Sequence, residues 1–404
     1  MAVSLPQDFV SLMEEQYGTD VASALCHALV HTAPEVSVRF NRHKCTQLLR
    51  SVHDMASGNT ADAGITPVPW CPEGFYLAER PSFTMDPLLH VGVYYVQEAS
   101  SMYLSEVIRR HSDVVSAVRS APCSVLDLCA APGGKSTLLA GMMREGDTLV
   151  CNEPMPKRAQ VLSENMQKWT RMLRGSYPVR CVVTQQYPSA FSRCNDCFDV
   201  IVVDAPCSGE GMFRKDEEAV RQWNRELVLN CQARQREILT DVWPCLRKGG
   251  LLVYSTCTFN HYEDEDNAAW VQEHLGATLL ESRHFLPGRD RGEGFYIAAL
   301  RKDDERDTAG CRRVLDARML HTLFDSDAQR VADDVVVELT YDEALHYLRG
   351  EALHIAAPRG MVTLTYKGFA IGSGKSVGTR INNLYPASWR IRTTHLTECR
   401  IFDF

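Results

Sequence analysis

The sequence predicts an α/β protein. Its centre is a parallel sheet with helices on both faces. An α+β region precedes that core and a small β-rich domain follows it. Three observations carry the prediction. Strand-like and helix-like segments alternate from about residue 120 to 300. A small-residue turn, Cys129 to Lys135, joins the first of these strands to the first helix. Beyond it, Gly368, Gly372, Gly374 and Gly378 punctuate a basic, strand-like tail. Alternation of this kind builds a parallel sheet through crossover connections.

Taken in order, residues 8–29 carry apolar side chains near helical spacing (Phe9, Leu12, Met13, then Val21, Ala24, Leu25). Residues 37–41 alternate like a strand, and Trp70, Pro72 and Gly74 mark a turn before Phe75-Tyr76-Leu77. In the core, strands are predicted at 124–128, 148–152, 179–184, 198–204, 251–255 and 295–300. Helices are predicted at 135–143, 157–169, 217–246 and 262–275. Residues 303–330 are charged and weakly periodic, which reads as a linker with some helix. A helix at 340–348 and a strand at 361–366 open the tail domain. The expected division is 1–90, 91–302, a linker at 303–330, and 331–404.

The composition is that of a globular chain: 404 residues, 45% hydrophobic and 23% charged. At roughly 100–200 residues per domain, two or three domains are expected. No apolar run approaches the roughly 18 residues that span a bilayer. The first ten residues have neither a basic nor an apolar signal region. Fifteen scattered cysteines, an odd number, fit a reduced, cytoplasmic protein better than a disulfide framework. The one CxxC, Cys194 and Cys197, lacks a second half, so no metal is expected. A monomer is expected.

The formal charge is −8, but it is uneven. Residues 301–345 hold 12 acidic and 7 basic side chains, whereas 349–400 hold 8 basic and 2 acidic. A local basic face is enough to contact phosphates.

The turn after the first core strand reads VLDLCAAPGGK. Its small residues let a ligand approach the backbone, and the helix behind it offers free N–H groups. A phosphate-cradling GxxxxGK[ST] loop is excluded because Cys129 stands where the first glycine must be. The dinucleotide pattern GxGxxG is absent. S-adenosylmethionine (SAM) remains, with an amine and a carboxylate in place of a pyrophosphate. A carboxylate ending the second strand suits a ribose diol, and Glu153 stands there.

The fourth core strand ends DAPCSGEG and the fifth ends YSTC. Adjacent strand tips would bring Asp204, Cys207 and Cys257 together. A thiolate is a natural nucleophile for C6 of a pyrimidine. Attack there makes C5 nucleophilic toward a methylsulfonium, and an acid beside the ring can support N3. The C5 proton must then leave and the thiol be expelled. Two thiols suit two steps, but chemistry alone does not say which thiol takes which.

LDLCAAPGGK, NEPMPKRAQVLSENM, FDVIVVDAPCSGEGMFRKD and LVYSTCT resemble the successive motifs of the Sun/Fmu family of SAM-dependent RNA cytosine-C5 methyltransferases. YYVQEASSM and SGEGMFRKD are similar to its 16S ribosomal RNA branch. LTYDEALHYLRGE with APRGMVTLTYKGFAIGSGK resembles that branch's PUA-like RNA-binding domain. The resemblance implies a Rossmann-like SAM-dependent methyltransferase core between an N-terminal α+β RNA-binding region and a β-rich PUA-like domain. It implies Cys257 as the nucleophile and Cys207 as the thiol that assists release. Cys129, Ala130, Ala131, Pro132, Gly133, Gly134 and Lys135 would hold the methionine portion of SAM. Glu153 would bind the ribose hydroxyls with Arg158 nearby, and Asp204 would sit between SAM and the base. Gln185-Gln186 replaces an acidic residue common near the adenine, and Gln186 can accept through its amide oxygen. The implied partner is RNA, 16S ribosomal RNA or the small subunit, with transfer RNA or catalytically silent RNA binding as the alternatives. Arg39, Arg42, Arg214, Lys215, Lys367, Lys375 and Arg380 are the expected RNA contacts, with Tyr385 and Trp389 as stacking platforms.

Overall fold

The computed structural model describes residues 4–57, 64–111, 122–303, 321–329, 334–393 and 401–402. Its largest sheet has eight strands. They are β5 (Ser124–Asp127), β6 (Thr148–Asn152), β7 (Arg180–Thr184), β8 (Phe198–Asp204), β9 (Leu246–Thr256), β10 (Ala277–Phe285), β11 (Phe295–Lys302) and β12 (Thr322–Asp325). Their order is β10-β11-β9-β8-β5-β6-β7-β12. The five strands from β9 to β7 are parallel, β11 and β12 run antiparallel to them, and β10 pairs antiparallel with β11 at the edge. The core is therefore the predicted α/β sheet, mixed at both margins.

Three local differences have physical causes. The helix expected over 217–246 is two helices, Glu217–Gln222 and Arg225–Val242. Asn224 breaks it: its side chain accepts from the Leu227 N–H and caps the second helix. The stretch expected to be a linker contributes β12, which pairs with the outer edge of β7. The rest of that linker, 304–320 and 330, lies outside the described residues. Residues 277–285, unassigned from sequence, form β10, whose largely half-exposed side chains give a weak alternation signal.

Apolar side chains fill both faces of the sheet. Leu138, Leu162, Met166 and Trp169 pack on one face. Ile238, Leu239, Val242 and Val271 pack on the other. Between its two aspartates β8 (FDVIVVD) is a continuous apolar run, Val200 to Val203, because neither face meets water.

The N-terminal region holds helices Gln7–Tyr17 and Thr19–His31, broken at Gly18, whose φ of 77° suits glycine. It also holds a four-stranded sheet in the order β2-β3-β1-β4: β1 (Val36–Phe40), β2 (Ile65–Val68), β3 (Cys71–Leu77) and β4 (Tyr94–Val96). The C-terminal domain is a second four-stranded sheet, β13 (Val336–Glu338), β14 (Gly360–Tyr366), β15 (Phe369–Ser376) and β16 (Ile381–Asn383), with the helix Tyr341–Leu348. Thr340 caps that helix through a reciprocal bond with Glu343. The two outer regions share one apolar core, in which Phe40, Phe75 and Tyr94 meet Tyr341, Leu345 and Phe402. They clasp each other as well as the central domain.

Candidate active site at the carboxyl edge of the sheet

Strand order reverses at β5, which lies between β6 and β8. That reversal opens a crevice beyond the carboxyl ends of the parallel strands. Asp127, Asn152, Thr184, Asp204 and Thr256 end β5 to β9 there. Asp204 is in register with Ser255, so the loops carrying Cys207 and Cys257 leave the sheet side by side.

The glycine-rich loop runs from Cys129 into the helix Gly134–Met142. Its backbone is held from several directions. The Ala130 N–H donates to the Asn152 carbonyl (2.8 Å), Arg158 to the Ala131 carbonyl (2.9 Å) and Asn165 to the Pro132 carbonyl (2.8 Å). Gly133 has φ 115°, and a Cβ there would meet Leu162 Cδ1 at 3.3 Å. Burial and the nearby carboxylates push the Cys129 thiol well up. Asp127 is fully buried. Its Oδ2 accepts from Ser136 (2.6 Å) while its Oδ1 has no hydrogen-bond partner among the described residues. Burial pushes its pKa up to about 7.

Glu153 is buried, accepting from the Met155 N–H (3.0 Å) with Arg158 3.5 Å away. Gln186 is half-buried, beside Tyr187, which is 70% exposed. Asn152 was not singled out from sequence, yet it stitches this edge together. Its amide nitrogen donates to the Leu128 and Gln186 carbonyls (3.1 and 2.9 Å). Its amide oxygen accepts from the Gln186 N–H and the Thr184 hydroxyl (both 3.0 Å). A polar residue fully buried at a strand end, just before an acidic one, is the signal that could have found it.

The structure brings the two predicted cysteines together: Cys207 Sγ and Cys257 Sγ are 3.3 Å apart and both are half-buried. Gly211 makes that approach possible. Its N–H donates to the Cys257 carbonyl (2.8 Å), and a Cβ there would lie 2.8 Å from the same oxygen. The hydrogen bond it shares with Cys257, with burial, pushes the Cys207 thiol well up. Lys135 Nζ lies 2.9 Å from Asp204 Oδ1, which also accepts from Ser255 (2.9 Å). Burial works against the charge on Lys135, but the attraction of Asp204, Asp127 and Cys257 outweighs it and raises its pKa.

Buried polar groups support the Cys257 loop. Asp264 accepts from Thr256 and Thr258, the residues on either side of Cys257. His284 donates Nε2–H to Asp264 (2.8 Å) and lies 3.0 Å from Glu265 through Nδ1. Both ring nitrogens thus face carboxylates, and the trio forms a hydrogen-bonded brace under the Cys257 loop. The N-terminal helices pack beneath the same loops. Phe9 meets Phe213, Trp223 and Phe259, and the Tyr17 hydroxyl donates to the Phe259 carbonyl (2.5 Å).

Several expected RNA contacts are placed elsewhere. Arg39 is 2% exposed. It donates to Gln97 Oε1 (2.8 Å), the Gly134 carbonyl (3.1 Å) and Thr137 Oγ1 (2.6 Å), and its guanidinium lies over Trp169. It is an internal tie to the glycine-rich loop, because all three of its side-chain nitrogens donate inside the protein. Arg214 is half-buried and donates to the Gly292 carbonyl (2.5 Å), and Lys215 is ion-paired with Glu293. Both fasten the Cys207 loop to the 292–293 segment. Tyr385 and Trp389 are buried in the C-terminal core and offer no stacking face. Arg42 is half-exposed near Glu73, Lys367 sits at the β14–β15 turn, and Lys375 and Arg380 are exposed.

Three family models match this chain: 16S rRNA methyltransferase RsmB/F at residues 119–301, the N-terminal domain of 16S rRNA methyltransferase RsmF at 5–99, and the methyltransferase RsmF PUA domain at 334–391. Ribosomal RNA small subunit methyltransferase F of Citrobacter koseri is 33% identical over 336 residues, covering 74% of this chain and 64% of the relative. That of Pectobacterium atrosepticum is 33% identical over 266 residues, covering 59% and 51%. The chain thus spans about half to two thirds of the length of these relatives. Among solved structures, NSun6 from Pyrococcus horikoshii with SFG superposes with TM-score 0.58 at 17% identity, covering 76% of this chain and all of that one. A methyltransferase homolog from the same organism gives TM-score 0.55 at 24% identity, covering 74% and 100%. At these identities the structures establish the fold.

Proposed function

The chain belongs to the 16S rRNA methyltransferase RsmB/F family, and on that premise we propose that it is a SAM-dependent enzyme that forms 5-methylcytidine in 16S ribosomal RNA. The observation that carries the reading is the pair of thiols 3.3 Å apart beside Asp204, at the mouth of a crevice suited to SAM.

The crevice fits SAM on its own chemistry. Asp127 Oδ1 is a buried acceptor without a partner among the described residues, and the ammonium of a methionine moiety would satisfy it. The backbone from Cys129 to Lys135 would hold the carboxylate end, Glu153 with Arg158 the ribose, and Gln186 the adenine amino group. SAM, when bound, supplies the methyl group that C5 receives.

The remaining steps belong to the chain. The target cytosine must leave its stack to reach the thiols. Asp204 would orient the ring by accepting from its exocyclic amino group, and the Lys135 ammonium 2.9 Å from Asp204 would offset the charge that builds at N3. The Cys257 thiolate, its proton passed to water, bonds to C6 as the C5=C6 π pair shifts onto C5 and makes it nucleophilic. After methyl transfer the C5 proton passes to water. The C6–Sγ bond then breaks with its electron pair returning to Cys257. The Cys207 thiol, 3.3 Å away, is placed to hydrogen-bond the departing sulfur. The raised pKa of Cys207 supports its acting as the protonated partner.

The exposed tail cations Lys375 and Arg380, with Arg42 and Lys367, would contact RNA phosphates. The test is to offer methyl-labelled SAM with small ribosomal subunits, naked 16S RNA and bulk transfer RNA in separate reactions. Label recovered as 5-methylcytidine in a ribosomal substrate is expected. Label in transfer RNA alone would overturn the substrate, and no label in any would overturn the activity.

A further inference from the structure

A closed ring of buried hydrogen bonds surrounds Cys207. Glu263 is fully buried and accepts from the Ser208 N–H through Oε2 (3.0 Å) and from the Ser208 hydroxyl through Oε1 (2.5 Å). Gln235, also fully buried on the helix Arg225–Val242, donates from one amide nitrogen to Glu263 Oε2 (2.7 Å) and to the Pro206 carbonyl (3.0 Å). Pro206 and Ser208 are the two neighbours of Cys207. The thiol is therefore gripped from both sides by two side chains that bond each other. Asn267 donates to Gln235 Oε1 (2.7 Å), which fixes the orientation of that amide.

The same carboxylate reaches the other loop. Asn260 donates from its amide nitrogen to Glu263 Oε1 (2.9 Å) and to Glu210 Oε1 (2.8 Å). Glu210 accepts from the Phe259 and Asn260 N–H groups (2.6 and 3.1 Å) just beyond Cys257. Every partner of Glu263 is a donor, so the geometry holds it as a carboxylate. Burial works against that charge and pushes its pKa up, so each lost donor is costly. None of these contacts belongs to the hydrogen-bond ladder of the sheet. Their common effect is to fix one backbone segment of three residues against a second loop.

We propose that Glu263 and Gln235 are positioning residues for Cys207, holding its sulfur at the distance from Cys257 that the product-releasing step requires. This rests on the assignment of Cys207 to release. It predicts a defect confined to that step. SAM contacts lie along Cys129–Lys135 and at Glu153, none of which Glu263 or Gln235 touches.

The experiment uses the full chain with methyl-labelled SAM and 16S RNA, comparing the parent protein, Cys207→Ala, Glu263→Gln, Gln235→Met and the double variants carrying Cys207→Ala. The readouts are SAM affinity, turnover, and covalent protein–RNA adduct on a denaturing gel. Glu263→Gln and Gln235→Met should each bind SAM as the parent does, accumulate adduct, and lose turnover about 10- to 100-fold, the loss expected from roughly 1 Å of misplacement. In the Cys207→Ala background neither change should lower turnover or adduct further, because both act through the missing thiol. Parent-like turnover in both single variants would overturn the proposal. So would an added loss of adduct in the double variants, which would mark a general structural role. If Glu263→Gln does not fold, Gln235→Met carries the test alone, since it leaves the carboxylate in place. Failure of Cys207→Ala itself to accumulate adduct would overturn the parent assignment instead, and the two failures are thereby distinguished.

Discussion

Cys207 Sγ and Cys257 Sγ lie 3.3 Å apart although fifty residues separate them in the chain. The loops that carry them leave neighbouring parallel strands, and the N-terminal helices pack beneath those loops. The thiol pair is thus a product of the sheet register, the close approach at Gly211 and the layer of residues that supports both loops.

That support gives a first prediction. Phe9 is fully buried against Phe213, Trp223 and Phe259. Phe9→Ala should cost about 3–5 kcal/mol by opening a cavity there. Turnover should fall more than SAM affinity, because the cavity lies under the thiol loops and not under the glycine-rich turn. Equilibrium denaturation and SAM titration check the two halves separately.

Arg39 gives a second. Each of its side-chain nitrogens donates to Gln97, Gly134 or Thr137. Arg39→Met should destabilise the protein by about 3 kcal/mol, since it strands buried acceptors. The salt dependence of RNA binding should not change, because the residue is not on the surface. A reduced salt slope with unchanged melting would contradict this placement.

Much of this could be read from the sequence, and the rest fails for identifiable reasons. The strands β5 to β9 are apolar runs bounded by turns, and the glycine-rich loop and cysteine motifs are local, so pattern alone exposes them. The antiparallel course of β11 is set by tertiary pairing with β9, to which a strand pattern is blind. Arg39 looks like a surface cation because nothing local announces that Gln97 and Thr137 will enclose it. Tyr385 and Trp389 look like stacking platforms among basic residues, but the helix Tyr341–Leu348 and β16 bury them. Glu263 and Gln235 are single polar residues in polar stretches. Only the fold shows that they meet around Cys207.

His284 gives a pH prediction. The hydrogen bonds and charges of Asp264 and Glu265 overcome burial and raise its pKa from 6.5 to about 9. A base whose folded pKa is raised adds stability that is complete below its unfolded value and lost as pH rises through the folded one. Stability should therefore decline between about pH 6.5 and pH 9. His284→Gln should be less stable at pH 6 and show a flatter profile over that interval. Denaturant midpoints measured across it are the check.

The tail cations give another. Lys375 and Arg380 are exposed on the C-terminal domain. Reversing both charges should weaken RNA binding and lower the slope of log affinity against log salt by about 1–2. SAM binding should be untouched. An unchanged slope would confine RNA contact to other surfaces.

The most direct test of the two-thiol account is a denaturing gel of the full chain after incubation with 16S RNA and methyl-labelled SAM, run for Cys257→Ala and Cys207→Ala side by side. The account predicts that Cys257→Ala forms neither adduct nor 5-methylcytidine, while Cys207→Ala carries label in a covalent protein–RNA band. An adduct that appears with Cys257→Ala and is absent with Cys207→Ala would reverse the two roles. Full methylation by Cys257→Ala would remove it as the nucleophile.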